Sequence, residues 1–153
     1  NILVWYGQEQ GLEFIERAVK NKINLRPEIL YALPLTLQRI GNQKAKALLL
    51  NLHTQTHDDT LKLSALWSLD QLGLSDEHEV FRSAESIARS SSDVKARLYA
   101  ISTLQQVARE HAELSETITK SLQHILEEEQ DGQIKKQIQI LNQGKEDGCD
   151  ESL

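Results

Sequence analysis

The sequence predicts an all-α fold: a right-handed α-α superhelix, a solenoid of about four stacked helical hairpins. Three observations carry this expectation. Apolar residues recur at steps of three and four along most of the chain, which is the spacing of a helix face rather than the alternation of a strand. Blocks of that pattern repeat at offsets of 32 to 37 residues, the length of a helix–turn–helix unit. The composition is that of a chain able to build a core, with 39% apolar and 26% charged residues in 153 and only seven Gly and two Pro. A disordered chain, a collagenous chain and a membrane span are thereby excluded.

The elements follow in order. Shifted by 34, Leu3 falls on Leu37, Tyr6 on Ile40 and Gly7 on Gly41. Residues 1–7 therefore read as the end of a truncated preceding repeat; a short apolar arm packed on the first hairpin is the alternative. The first amphipathic stretch is Leu12 to Asn21. Pro27 suits the first turn of the next helix, whereas Pro34 is expected inside it, as a kink. Gly41 is placed to end that helix and Asn42 to cap the next, over Gln43 to Thr54.

The clearest repeat comes next. Asp58 to Leu69 lies over Asp93 to Leu104 at an offset of 35, setting Leu63 on Leu98, Ala65 on Ala100, Leu66 on Ile101 and Leu72 on Val107. Thirty-two residues back, Leu69 falls on Leu37, Leu72 on Ile40 and Gly73 on Gly41. Ser75 is a candidate N-cap for Glu77 to Ala88, and the run Ser90, Ser91, Ser92 before Asp93 reads as a helix cap in a turn, not as a nucleophile. Ser115 is expected to cap a helix running to Leu126. At an offset of 37 Ile101 falls on Ile138 and Leu104 on Leu141, with Ile140 competing for the latter slot. One solenoid thus spans residues 1–143, and residues 144–153 form an acidic flexible tail or linker.

The stretch Arg39-Ile-Gly-Asn-Gln-Lys-Ala-Lys-Ala-Leu-Leu-Leu-Asn-Leu, then Asp58, Asp59 and Leu63-x-Ala-Leu-x-x-Leu-x-x-Leu-Gly73, resembles the bacterial HEAT-like repeat of the phycobilisome-lyase type. The likeness departs after the mid-repeat turn, where Thr60 and Leu61 precede Lys62. It implies a stack of helical pairs and says little of chemistry, because one scaffold hosts many roles. The segment Leu3-Val-Trp-Tyr-Gly-Gln-Glu9, with Lys22-Ile-Asn-Leu25, is similar to the HEAT-like region of large secreted haem-binding, dehydrogenase-like proteins. That second likeness implies a connecting solenoid between other domains, since no Cys-x-x-Cys-His haem site is present.

Stacked repeats align equivalent positions into ladders. One ladder is Gln38, Asp70, Gln105 and Asn142; its neighbour is Arg39, Gln71, Gln106 and Gln143. Amides donate and accept together, so such a ridge suits an extended peptide or a partner helix. The plainer alternative is the solvated side of each helix. Trp67 and Tyr99 lie on the same helices and read as groove-closing side chains, or as binding anchors if exposed.

His53 and His57 stand four residues apart beside Asp58 and Asp59, the spacing of some zinc sites, but a His at a helix end suits the dipole without metal. There is no nucleophile elbow, phosphate-cradling loop or dinucleotide fingerprint. A net charge of −6 speaks against nucleic acid, whose phosphates call for clustered Lys and Arg. The charge is uneven: residues 1–75 sum to +1 and residues 76–153 to −7. The expected role is a non-catalytic protein-binding or scaffold module, without cofactor or membrane span, whose partner is another protein or a neighbouring domain of the same polypeptide. Two alternatives are a structural linker cut from a larger multidomain redox protein and a HEAT-fold enzyme or metal-binding domain.

Overall fold

The computed structural model describes residues 8–20 and 25–146, and among these every regular element is a helix. The chain divides into two compact units, Asn1–Asp76 and Glu77–Leu153.

In the first unit α1 is Gln8–Lys20, α2 Pro27–Leu30, α3 Leu33–Ile40, α4 Gln43–Gln55 and α5 Asp59–Gln71. Helices α4 and α5 pack together, α3 packs on both, and α1 lies against α4. The apolar steps of three and four explain why. Leu12 and Ile15 of α1, Leu33 and Leu37 of α3, Leu49 and Leu52 of α4, and Leu61, Ala65 and Leu69 of α5 form one buried cluster. Each Leu or Ile fully removed from water stabilises the fold by roughly 1.5–3 kcal/mol before entropic losses.

In the second unit α6 is Glu77–Ser90, α7 Val94–Glu110, α8 Ala112–Glu128 and α9 Gly132–Glu146. Helix α7 is central: α6, α8 and α9 all pack against it, and α8 also meets α6 and α9. Its core joins Val80 and Ala84, Ala100, Ile101, Leu104 and Val107, Ile118 and Ile125, and Ile134 and Ile138.

The repeat register is visible residue by residue. Leu37, Leu69 and Leu104 are all buried, as are the pairs Ala65 and Ala100, and Leu66 and Ile101, with Ile138 in the same slot. Leu98 and Leu72 are only half-buried where their equivalents Leu63 and Val107 are fully buried. Ile140 is 53% exposed and so does not fill the core position it was set against; the Leu141 side chain lies outside what is described.

The same turn is built at successive helix starts. Asp58 Oδ1 accepts from Leu61 N, and Asp93 Oδ1 accepts from Lys95 N, each capping its helix from nearly identical backbone angles. Two residues before each, a hydroxyl accepts from the aspartate's own N–H: Thr56 Oγ1 at 3.1 Å and Ser91 Oγ at 3.3 Å. Asp131 repeats the cap at α9, bonding Gln133 N and Ile134 N, and here Glu129 Oε1 takes the hydroxyl's place. Asn42 caps α4 through Ala45 N, as its position suggested. Gly41 and Gly73 end α3 and α5 with φ of 64° and 70°. After α5, Gly73 N bonds Asp70 O and Leu74 N bonds Leu69 O, the Schellman pattern.

Four local expectations change. Pro34 does not kink a longer helix: the chain turns at Tyr31 and Ala32, and Pro34 sits in the first turn of α3. There its missing N–H costs nothing, because first-turn donors have no helical partner. Ser115 does not cap α8, which begins at Ala112. Buried Leu114 opens the apolar series Leu114, Ile118, Leu122, Ile125, so the helix must already be formed before Ser115. Helix α6 starts at Glu77, so the residue before it is Asp76 rather than Ser75. Helix α9 runs to Glu146, taking in residues assigned to the tail. Residues 1–7 and 147–153 lie outside the described residues, and with them the truncated-repeat reading and the rest of the tail.

Candidate functional site

In the first unit, helix punctuation brings four of the ladder residues to one edge. Gly41 and Gly73 both stop their helices, and a Cβ at Gly41 would stand 3.6 Å from Leu72 Cδ2. The C-terminal ends of α3 and α5 are therefore side by side. Gln38 and Arg39 occupy the last turn of one, Asp70 and Gln71 the last turn of the other. Arg39 and Gln71 are exposed, Gln38 and Asp70 half-buried. The Gln71 amide reaches Asp70 Oδ2 at a long 3.4 Å. Leu74, just past Gly73, leaves 52% of its surface in water. A cation, a carboxylate, two amides and an exposed apolar side chain thus share one end of the unit. Trp67 is half-buried on α5 rather than displayed.

The second unit treats its equivalents differently. Gln105 is half-buried, and its Nε2 is a buried atom with no hydrogen-bond partner. Gln106 Nε2 is engaged with Glu110 Oε1 at 2.6 Å, one turn along the same helix. Tyr99 is half-buried like Trp67. Asn142 and Gln143 lie in α9, but their side chains are outside what is described.

The His53, His57, Asp58, Asp59 group does not converge: these residues do not bring three donor atoms within 4.8 Å of one another. Two of its members have other duties. His53 Nδ1 lies 3.2 Å from Lys62 O, and Asp58 caps α5 while accepting the Tyr31 hydroxyl at 2.6 Å. A different set does converge, in the second unit: Glu77, His111 and Glu113. Nothing in the spacing announces it, since Glu77 and His111 belong to separate elements and meet only through the packing of α6, α7 and α8.

A pocket of about 500 Å³ also lies in the second unit, lined by Arg89, Arg97, Glu128, Glu129, Asp131 and their apolar neighbours Ala88 and Ile125. Its charged groups are largely occupied with each other. Arg97 Nη1 donates to Glu129 Oε2 at 2.7 Å, and Arg89 bridges Glu85 and Glu128 at 3.2 and 3.3 Å. Glu85 also accepts the Ser121 hydroxyl. Such a network ties α6, α7 and α8 together, although Arg97 Nε is buried without a hydrogen-bond partner.

The described residues thus define an all-helical protein of repeated, aspartate-capped helices, with a polar edge on the first unit. No protein-family model, curated protein or solved structure matches the chain.

Proposed function

We propose that the chain is a non-catalytic protein-binding module, a right-handed superhelix of HEAT-like hairpins whose contact surface is the C-terminal ends of the second helices. Its partner is another protein or a neighbouring domain of the same polypeptide. The observation that carries this reading is the meeting of α3 and α5 ends, which presents Arg39 and Gln71 to solvent beside exposed Leu74. Arginine is enriched among binding hot spots, exposed Leu74 adds apolar area for a partner to cover, and amides give a partner's backbone both donor and acceptor. Repeat offsets of 32 to 37 residues and the shared burial of matched positions support the superhelical form.

The surface narrows relative to the full ladders. Gln105 turns its amide nitrogen inward, and Gln106 is tied to Glu110, so the first unit's edge is the stronger face. The test is affinity capture on immobilised protein, comparing wild type with Arg39→Glu/Gln71→Arg by quantitative mass spectrometry. Both positions are exposed, so stability should stay within about 0.5 kcal/mol. Partners enriched by wild type should fall at least about tenfold, a loss of 1.4 kcal/mol or more. Undiminished capture of the same partners by a folded variant would overturn the assignment.

A further inference from the structure

We propose that Glu77, His111 and Glu113 bind one divalent transition-metal ion of the zinc class, clipping the start of α6 to the α7–α8 connection. This site is separate from the polar edge of the first unit and does not depend on it.

The geometry comes first. Glu77 is the first residue of α6, His111 joins the end of α7 to the start of α8, and Glu113 stands in the first turn of α8. One donor atom from each of the three lies within 4.8 Å of the other two. His111 Nδ1 and Glu113 Oε1 are 3.5 Å apart. Tetrahedral zinc with bonds of about 2.0–2.1 Å sets its ligands roughly 3.4 Å apart, so this edge already has the required length. The other two edges are no longer than 4.8 Å, so they close with a small inward swing of the half-buried Glu77 carboxylate.

The choice of residue at position 111 is a second, independent observation. His111 occupies the N-cap of α8, where Ser, Thr, Asp or Asn normally accept a hydrogen bond from the first turn. Its ring makes no such bond. The backbone alone fixes the turn: His111 N bonds Val107 O at 2.8 Å, and Leu114 N bonds His111 O at 3.0 Å. The imidazole is thus held on a backbone tied to both helices, 28% exposed, with Nδ1 towards Glu113. The N-caps Arg26 and Ala32 also make no side-chain capping bond; what sets His111 apart is an imidazole turned towards the exposed Glu113 carboxylate.

Charge supplies the third argument. Glu77 and Glu113 come from different helices, yet their oxygens lie within 4.8 Å of one another. Both also sit at helix N-termini, which accounts for a carboxylate on each helix but not for their convergence on one ring. His78 Nε2 lies 4.0 Å from Glu77 Oε1, as His111 Nδ1 lies 3.5 Å from Glu113 Oε1, and a shared cation relieves the repulsion between the two carboxylates further than these imidazole contacts do. One imidazole nitrogen with two carboxylate oxygens suits zinc and its neighbours better than calcium, which takes oxygen ligands alone. Three protein ligands leave a fourth position for water.

The test is isothermal titration of the full chain, free of any affinity tag and stripped with chelator, with zinc chloride and separately with calcium chloride. Wild type should bind one zinc per chain with micromolar or tighter affinity, and calcium should give no heat. His111→Ala and the milder Glu113→Gln should each weaken zinc binding at least tenfold, while His53→Ala should leave it unchanged. Circular dichroism verifies that each variant is folded, and zinc should raise the melting temperature of wild type but not of His111→Ala. Absence of zinc binding, undiminished binding by both site variants, or loss of binding in His53→Ala would each overturn the assignment.

Discussion

Asp58, Asp93 and Asp131 show how much of this fold rests on single side chains. Each caps a helix, and each has its own N–H accepted by a side chain two residues earlier. Asp93→Ala should destabilise by about 1 kcal/mol, the usual cost of a lost N-cap. Asp58→Ala should cost more, because Asp58 also accepts the Tyr31 hydroxyl at 2.6 Å, and Tyr31→Phe should cost only that difference. Urea unfolding of the three variants checks the order. Glu129 is the more consequential residue. Its side chain is 5% exposed, and it pairs with Arg97 while accepting from Gln130 N and Asp131 N. Arg97→Ala leaves that carboxylate buried without its cation, which should cost about 3 kcal/mol or more. Asn42 was legible as a cap because capping is local in sequence, whereas the serine run 90–92 drew the cap that Asp93 makes. Glu129 was not, because its partner lies 32 residues away and only the packing of α7 and α8 brings them together.

Helix boundaries at the scale of the element were legible wherever one residue dictates backbone conformation. Gly41 and Gly73 were expected as helix stops, and both take positive φ. At Gly73 a Cβ would meet nothing within 4 Å, so Gly73→Ala isolates the backbone term. It should destabilise by roughly 1 kcal/mol, with Gly73→Asn milder, since Asn tolerates the left-handed region better than Ala. Thermal melts of the pair measure the difference. Pro34 and Ser115 misled for the same physical reason. Each residue type fits a position inside the first turn or just before it, and only the apolar register decides which. Leu33 and Leu37 are buried together and restart the helix at α3; Leu114 starts α8 early. The candidate metal ligands had no register to reveal them, since one opens α6, one is the α8 N-cap and one stands in the first turn of α8.

The whole molecule is two compact units, and its charge follows that division. Acidic and basic side chains balance in residues 1–76, so the net −6 resides entirely in residues 77–153. A basic partner would be steered to the second unit, with an association rate that falls as salt rises. Among the described residues no helix is long and apolar enough to cross a membrane. The connection between the units contains Gly73, exposed Leu74 and exposed Asp76. Brief limited proteolysis should therefore cut there first and leave two fragments of nearly equal length, whereas first cleavage within α4 or α7 would contradict the division. The helical make-up of both units was legible from the spacing of Leu, Ile and Ala. The surface that would use it was not, because equivalent ladder positions differ: Gln71 is exposed, but its equivalent Gln106 is half-buried and tied to Glu110.

The central claim is that the joined ends of α3 and α5 contact a protein. Site-specific photo-crosslinking in the producing cell tests it most directly, with the reactive side chain placed at position 71 and, as control, at exposed Ser86 on α6. The account requires a discrete crosslinked product from position 71, absent from position 86 and lost when Arg39→Glu is added. Equal crosslinking from both positions, or none from position 71, would contradict it.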